Sequence, residues 1–173
     1  MATLHHNISG ELTQELLAPG DNIKVTKISL TNTQKVSDCK VDLYIEKRLL
    51  GKFYLLKSVD LPKGATLIYE NAVRFSTSTN EFGLYIKLTD GDSFTLTGAI
   101  DPTGTNKAVP GSGTAFLSEI SIGDEIVVSS ETRIIDTITD NTTAAVTANW
   151  GSDLANDTSP DCNPTALVDV IIN

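Results

Sequence analysis

The feature that most constrains the fold of this chain is a strand-like alternation of apolar and polar residues between residues 22 and 46. Between Ile23 and Leu30 the apolar residues change from one parity to the other. A strand changes parity where an extra residue is inserted, so this run predicts a β-bulge near Thr26 or Lys27.

The next run, from Cys39 to Glu46, alternates without a break. Val41, Leu43 and Ile45 form its apolar side, and Lys40, Asp42, Tyr44 and Glu46 form its polar side. This pattern predicts one buried and one solvated face. The two runs are predicted to be consecutive strands of one sandwich sheet, joined by a turn rich in Asn, Thr and Gln.

Other parts of the chain repeat the strand pattern at a spacing of roughly ten residues. Further strands are predicted at 53–56, 66–69, 82–88 and 166–172, with an extended edge segment at 11–18. Short strands separated by turn signals predict an all-β protein, an immunoglobulin-like Greek-key sandwich. The strand that ends at Leu88 needs a partner, so Leu88 and Leu167 are predicted to lie in neighbouring strands of one sheet.

Charge divides the chain into two parts. Residues 1–94 carry 11 Lys and Arg against 11 Asp and Glu, whereas residues 95–173 carry 2 against 11. Such asymmetry predicts a domain boundary near Phe94, the alternative being a chance cluster of acidic loops. The predicted body comprises residues 1–93 plus 165–173, and a second small acidic β domain, 94–164, is inserted before the last strand.

The predicted insert has strands and a core of its own. A strand is expected at 94–100, a long turn at 101–113, and short strands near 126–128, 134–135 and 145–148. Its small core is predicted to comprise Phe116, Leu117, Ile120, Ile122 and Trp150.

Composition and motifs argue against several functions. The net charge of −9 argues against general nucleic-acid binding, which needs clustered Lys and Arg. No apolar run approaches the ~18 residues of a membrane span, and residues 1–22 lack the pattern of a secretory signal. His5 and His6, the only histidines, fall in a lead of residues 1–10 that we predict to be flexible or partner-bound. With no His in the folded body and no nucleotide or metal motif, we predict no catalytic, cofactor-binding or metal-binding residues, no enzyme and no cofactor.

Two features leave alternatives open. Asp153, Asp157 and Asp161 recur every fourth residue and could offer oxygen ligands to calcium, but their spacing does not match a calcium loop, so a solvated acidic loop is favoured. Cys39 and Cys162 are predicted to be free thiols of a protein made in a reducing cytoplasm. The alternative is a bridge between them, if the fold brings them together.

Several strands and turns resemble those of small virion accessory proteins of marine and cyanobacterial tailed bacteriophages. The segments that carry this resemblance include Ile28-Ser-Leu-Thr-Asn, Val41-Asp-Leu-Tyr-Ile-Glu, Leu61-Pro-Lys-Gly-Ala-Thr-Leu, Phe82-Gly-Leu-Tyr-Ile and Val168-Asp-Val-Ile-Ile. In those proteins the Gly-Leu-Tyr-Ile strand runs almost directly into the Val-Asp-Val strand. Here residues 94–164 intervene, which supports the predicted insertion.

A second stretch resembles a small β module that recurs in phage tail, fibre and decoration proteins. It comprises Gly111-Ser-Gly-Thr-Ala-Phe, Glu119-Ile-Ser-Ile-Gly-Asp-Glu-Ile and Arg133-Ile-Ile-Asp-Thr-Ile. The two resemblances imply a non-enzymatic virion structural protein, assembled in the host cytoplasm: a capsid decoration or cement subunit that contacts other virion proteins and forms a homo-oligomer. A neck or tail/fibre accessory protein is the alternative. The rival from another class is a glycan- or receptor-binding module, for which the insert beyond Phe94 offers only Phe116 and Trp150 as aromatic residues.

Overall fold

The fold is described by a computed structural model for residues 3–47, 50–152, 154 and 156–173. The chain forms two compact units, which we call the body and the insert. The body comprises Met1–Gln34, Asp38–Asp90 and Ala166–Asn173, and the insert comprises Lys35–Ser37 and Gly91–Thr165. The assignment of Lys35–Ser37 to the insert has no counterpart in the sequence prediction.

Eight described strands of the body form two antiparallel four-stranded sheets. The first sheet contains, in order, β1 (Leu4–Ser9), β17 (Leu167–Ile172), β4 (Ile28–Asn32) and β7 (Thr66–Tyr69). The second contains, in order, β2 (Gln14–Leu17), β9 (Gly83–Thr89), β5 (Cys39–Lys47) and β6 (Gly51–Leu61). Two short strands, β3 (Lys24–Val25) and β8 (Val73–Arg74), pair with each other as a separate ribbon.

The strands of the two sheets are paired as nested hairpins. β5 pairs with β6, β4 with β7, β2 with β9 and β1 with β17, each antiparallel, so the chain forms one long folded ribbon. Rolling this ribbon up places β17 beside β4 and β9 beside β5. Two four-stranded sheets with this pairing form a jelly roll. The prediction of an all-β sandwich is confirmed, whereas the immunoglobulin-like strand order is not.

Two predicted pairings are wrong. β4 and β5, which flank the turn after Asn32, belong to different sheets, and so do β9 and β17. The turn instead crosses between the sheets, where Asn32 is buried: its Nδ2 donates to Leu61 O (3.0 Å) and its Oδ1 accepts from Gln34 N (2.9 Å). Alternation fixes which side of a strand is buried, but it does not say which strand lies alongside.

The break in parity lies where the sequence predicts it. Val25 and Ile28 are both buried although they have opposite parity. The N–H groups of Thr26 and Lys27 both donate to Asn173 O, at 2.6 and 3.1 Å. Two residues of this strand therefore oppose one residue of its partner, which is the predicted β-bulge.

The N-terminal segment is part of the sandwich. Residues 4–9 form the edge strand β1, with Ile8 buried, so the prediction of a flexible or partner-bound lead is wrong. His5 and His6 accordingly lie in a strand of the body. The extended edge segment predicted at 11–18 is confirmed as β2.

One core fills the space between the two body sheets. Its buried side chains include Ile28, Leu30, Val168, Val170 and Ile172 from the first sheet and Leu17, Val41, Leu43, Leu84, Ile86 and Leu88 from the second. Burial of each such side chain contributes about 1.5–3 kcal/mol. This shared core is what holds the two sheets together.

The insert is an antiparallel sheet of seven short strands among its described residues. In order across the sheet they are β10 (Phe94–Thr95), β16 (Asp161–Asn163), β13 (Glu125–Val128), β14 (Glu131–Ile138), β15 (Thr143–Val146), β12 (Ala108–Ser112) and β11 (Ala99–Ile100), and one short helix, α1 (Phe116–Glu119), joins β12 to β13. The long turn predicted at 101–113 is therefore wrong at its end, where β12 forms.

The insert sheet closes on itself. β10 and β11 are successive parts of the segment 94–100, yet they lie at opposite ends of the sheet. Ile100 of β11 and Asp157, which precedes β16, each donate an N–H to the other's carbonyl at 2.9 Å. β11 is thus bonded both to β12 and to the segment that leads into β16, which closes the sheet into a small barrel. The bend between β10 and β11 needs Gly98, because its φ is +83° and a Cβ there would lie 2.5 Å from Ser112 O.

The barrel encloses a second core, part of which the sequence predicts. Phe116, Ile120 and Trp150 are buried, as predicted. Leu117 and Ile122 are instead 51% and 62% exposed. They lie in α1 and in the turn that follows it, elements too short for an apolar period to show which side faces the core.

Candidate functional site

The outer side of the second body sheet carries a row of three tyrosines. Tyr85 of β9 lies opposite Tyr44 of β5, and Tyr44 lies opposite Tyr54 of β6. Their strand neighbours Leu43 and Leu84 are buried in the core, so the alternation of the strands directs the tyrosines outward. We define the tyrosine face as Tyr44, Tyr54, Tyr85, Lys52 and Lys57.

Tyr44 is the centre of the row. Its ring is stacked on Tyr85 with centroids 5.8 Å apart and tilted against Tyr54 with centroids 5.5 Å apart. Its neighbours cover it so well that it is fully buried, and the prediction of a solvated Tyr44 is wrong. Tyr44 Oη donates to Thr13 Oγ1 (3.4 Å) and accepts from Lys52 Nζ (3.1 Å). The buried phenol therefore has a partner both as a donor and as an acceptor.

Tyr85 links the row to the edge strand β2. Its Oη donates to Glu15 Oε2 at 3.0 Å. Burial and this hydrogen bond raise the pKa of Tyr85 to about 12, so the phenol stays neutral near pH 7. A Cβ at Gly83 would lie 2.9 Å from Tyr85 Oη and 2.9 Å from Leu17 O, so glycine at this position leaves room for the phenol.

Two lysines lie over the tyrosine rings. Lys52 Nζ is 4.3 Å from the Tyr44 centroid, and Lys57 Nζ is 4.8 Å from the Tyr54 centroid. Each such contact contributes about 0.5–1 kcal/mol at an exposed site. The hydrogen bond to Tyr44 also raises the pKa of Lys52. One positive charge is therefore held over Tyr44 and another over Tyr54, a residue that is 42% exposed.

A second aromatic pair lies at the end of the same sheet, on the side opposite the tyrosine face, because Phe53 directly precedes Tyr54 in β6 and pairs with Ile45. Phe53 of β6 meets Phe82 edge to face with centroids 5.6 Å apart, and Lys47 Nζ lies 5.8 Å from the Phe82 centroid while it pairs with Glu81 at 3.1 Å. Phe53 is 51% exposed and Leu50, in the turn before β6, is also exposed. Since β6 borders no further strand in the described part of the chain, this edge presents apolar side chains and free backbone groups together.

Such a surface is suited to binding another molecule. Tyrosine and phenylalanine are enriched in the cores of protein interfaces, where a flat ring buries much area at low entropy cost. The fixed lysines add attraction for negative charge. The arrangement therefore favours a partner that offers both apolar contact and carboxylates.

The acidic residues considered for calcium are engaged in local hydrogen bonds where the structure describes them. Asp157 accepts from Ser129 N (2.6 Å) and Ser159 N (2.9 Å), and Asp161 accepts from Thr95 Oγ1 (2.8 Å). Asp153 lies outside the described residues. Within the described part of the chain no cluster of three His, Cys, Asp or Glu side chains could hold a metal ion.

Both cysteines are free thiols, as predicted. Cys39 is buried in the body core, and burial together with Asp38 and Asp90 raises its pKa to about 11. Cys162 is buried in the insert core, and burial together with Asp124 raises its pKa further above the ordinary value. Neither thiol is activated for chemistry, because a nucleophilic cysteine needs a lowered pKa.

No family model, curated protein or solved structure matches this chain. No helix among the described residues has the length and apolar character needed to cross a membrane. The fold defines the molecule as an all-β chain with a jelly-roll body and a closed β insert.

The sequence alone does not predict the tyrosine face, although it places two of the three tyrosines on the outward side of their strands. Tyr44 and Tyr85 stand at the outward parity of strands that the sequence predicts correctly. What the sequence does not show is that β5 lies between β6 and β9, which brings the three rings into one row. Aromatic residues on the polar side of predicted strands point to Tyr44 and Tyr85 but not to Tyr54 or to the contacts among the three rings.

Proposed function

We propose that this chain is a structural protein of a tailed-bacteriophage virion that binds the particle surface as a decoration subunit, with the tyrosine face as its contact. The observation that carries the proposal is the row of tyrosines with lysines fixed over the rings and with Tyr54 left 42% exposed on the edge strand β6. A surface of this kind buries large rings at low entropy cost when a protein partner covers it.

The architecture of the body supports this proposal. Jelly rolls are common in viral capsid proteins and in lectins, and one fold serves many functions. The resemblance of strands such as Val41-Asp-Leu-Tyr-Ile-Glu to phage virion accessory proteins agrees with the first of these uses. The subunit acts by contacts with other virion proteins, without enzymatic activity or a cofactor, and as one of many copies or a symmetric oligomer.

Charge supports the body as the contact. The body carries 10 basic and 11 acidic residues, whereas the insert carries 3 basic and 11 acidic residues. An acidic shell surface would repel the insert and attract the lysines of the tyrosine face. In this proposal the insert remains available for a second partner.

Binding to particles that lack the protein tests the proposal. Purified protein is mixed with such particles, and the bound fraction is measured by co-sedimentation at increasing protein concentration. We expect Tyr54→Ala combined with Lys57→Ala to weaken binding by about 30-fold or more, as loss of an aromatic hot spot does. Added salt should weaken wild-type binding as well, because the lysines contribute through charge.

The control for this experiment is Ile68→Ala on the outer side of the other body sheet. Ile68 is 49% exposed and lies in β7, so its truncation removes similar apolar area away from the tyrosine face. Equal binding by the tyrosine-face variant, the control and the wild type would exclude this face as the contact. Imaging of the bound particle would separate a head position from a neck or tail/fibre position.

Glycan binding is a second candidate, because exposed aromatic rings such as Phe53 and Tyr54 also stack on sugars. The insert is a poor place for such a site, since Phe116 and Trp150 are both buried. Saturable binding on a glycan array that Tyr54→Ala abolishes would favour this second candidate over a protein partner.

A further inference from the structure

A short ribbon of the body borders a polar groove that the tyrosine face does not include. The ribbon consists of β3 and β8, in which Lys24 pairs with Arg74 and Val25 pairs with Val73. Beside it lies an open groove of about 500 Å³, lined by Asn22, Arg74, Phe75, Ser76 and Thr77. Phe75 is buried and anchors the groove wall to the body.

The ribbon holds two positive charges directly opposite each other. Phe75 N donates to Ile23 O (2.8 Å) on one side of the Lys24–Arg74 pair. That bond makes Lys24 and Arg74 a non-hydrogen-bonded pair, the kind in which opposite side chains are closest and project from the same face. Like charges placed this way destabilise an antiparallel pair.

Neither cation has a carboxylate to offset this repulsion within the described residues. The ion pairs of the body's described residues join Lys27 to Glu70, Lys40 to Asp60 and Lys47 to Glu81. Lys24 and Arg74 take part in none of them, and both are exposed. An anion between the two side chains would turn a repulsive pair into an attractive cluster.

The groove also offers neutral donors next to Arg74. The Ser76 Oγ atom accepts from Ser78 N at 3.2 Å, which leaves the hydroxyl hydrogen of Ser76 for another acceptor. Thr77 contributes a second hydroxyl and Asn22 an amide. Asn22 N donates to Ser76 O at 3.4 Å, which joins the two sides of the groove.

We propose that an oxyanion, a sulfate, phosphate or carboxylate group, binds at the rim of this groove, where Arg74 lines the groove and Lys24 faces Arg74 from the paired strand, with Ser76 and Thr77 as further donors. The planar guanidinium of Arg74 matches two oxygens of such a group, and Lys24 adds a point charge from the facing strand. The two hydroxyls can donate equally well to a tetrahedral sulfate or phosphate and to a planar carboxylate. The site is therefore predicted to recognise the oxyanion group itself and not one particular molecule that carries it.

Sulfate is the probe for the first experiment, with chloride at equal ionic strength as the reference. Backbone amide shifts of the full chain are followed by NMR during the titration. We expect saturable shifts at Lys24, Arg74, Ser76 and Thr77. The double variant Lys24→Gln, Arg74→Gln should bind sulfate about tenfold or more weakly. In chloride alone it should be at least as stable as the wild type, because its repulsive pair is gone.

Lys40→Gln is the matched control, since Lys40 is also exposed on a body strand but already pairs with Asp60 at 3.2 Å. This variant should keep the sulfate response. Sulfate also stabilises proteins by exclusion from their surfaces, which is not saturable and does not depend on one residue. A linear change of equal size in the wild type and in both variants would overturn the proposal.

Two polysaccharide columns separate the sources of the oxyanion. The chain is applied to dextran sulfate and to neutral dextran. Retention on dextran sulfate that the double variant loses would assign the site to acidic polysaccharides, against the general repulsion expected from a net charge of −9. A saturable sulfate response without retention would assign it to a small free ion. Absence of both responses would exclude the site.

Discussion

At the scale of single residues, burial in the body core decides which substitutions the chain tolerates. Leu43 is completely buried in the second body sheet, so Leu43→Asp places a carboxylate in an apolar core. The cost of several kcal/mol is comparable to the whole stability of a domain, and we expect the body to be unfolded. Leu12→Asp is the matched control, because Leu12 is 78% exposed. Thermal unfolding measures both, and similar melting temperatures would contradict the burial of Leu43.

Two other residues make the stability of the body depend on alkaline pH. Folding raises the pKa of Cys39 from 9.0 to about 11 and that of Tyr85 from 10.0 to about 12, in each case chiefly by burial. As pH rises, the unfolded chain releases these protons first and so binds fewer protons than the folded chain. The free energy of unfolding should therefore fall from about pH 9 upward, through both folded pKa values.

Denaturant unfolding at a series of pH values tests this dependence. Cys39→Ala should flatten the fall between about pH 9 and 11, and Tyr85→Phe should flatten it between about pH 10 and 12. Each variant is the control for the other, because the two windows differ. A curve that neither variant changes would show that other groups cause the alkaline loss of stability.

Tyr85→Phe should also cost about 1–3 kcal/mol near pH 7, since Glu15 loses its hydrogen-bond donor.

At the scale of strands, the edge strand β1 contributes to the sandwich more than its position suggests. It pairs along its whole length with β17, buries Ile8, and Asn7 Nδ2 donates to Asp169 of β17. Removal of residues 1–10 would uncover the backbone of the mostly apolar β17. We expect a marked fall in melting temperature and aggregation of the truncated chain. A point variant, His5→Ala, leaves the pairing intact and should change neither property; a truncated chain as stable and soluble as this control would show that β1 is dispensable.

Strands are also the scale at which sequence and structure diverge. Local patterns predict the buried side of β5, the existence of β9 and the bulge at Thr26 and Lys27 correctly, because alternation and its breaks depend only on near neighbours. Pairing between strands distant in sequence leaves no such trace. The buried Asn32 that fixes the crossing between the sheets looks in the sequence like an ordinary turn residue.

The same limit applies to the candidate sites. Tyr44 and Tyr85 are visible in the sequence as outward residues, but their contacts with each other and with Tyr54 depend on the order of β9, β5 and β6. The opposition of Lys24 and Arg74 likewise depends on a ribbon between segments some fifty residues apart. In both sites the residue types could be predicted, and the geometry that makes them a site could not.

At the scale of the whole molecule, the two ends of the body that flank the insert meet. Asp90 Oδ1 accepts a hydrogen bond from Ala166 N at 2.7 Å, so the body chain would close over a short gap if the insert were absent. We predicted the same closeness from a pairing of β9 with β17 that does not exist. The contact between Asp90 and Ala166 is instead a side chain to backbone bond at the turn.

Excision of the insert tests whether the body is self-sufficient. Replacing residues 91–165 by a short Gly-containing turn removes the second core as a unit and leaves the body core intact, because the two cores share no side chain. A shorter loop also costs less closure entropy. The shortened chain would carry 11 basic and 11 acidic residues. We expect it to melt cooperatively and to elute from an anion exchanger well before the full chain.

Removing only residues 101–156 is the control for this excision. It would leave β10, β11 and β16 without the strands that cover them, and we expect that chain to aggregate. If the chain that lacks residues 91–165 also aggregates, the body needs the insert to fold, and the two units are not independently stable. If the excised chain folds and binds particles that lack the protein as tightly as the full chain does, the anchor lies in the body, as the tyrosine face requires. Folding with loss of particle binding would place the anchor in the acidic insert and reverse the proposed roles of the two units.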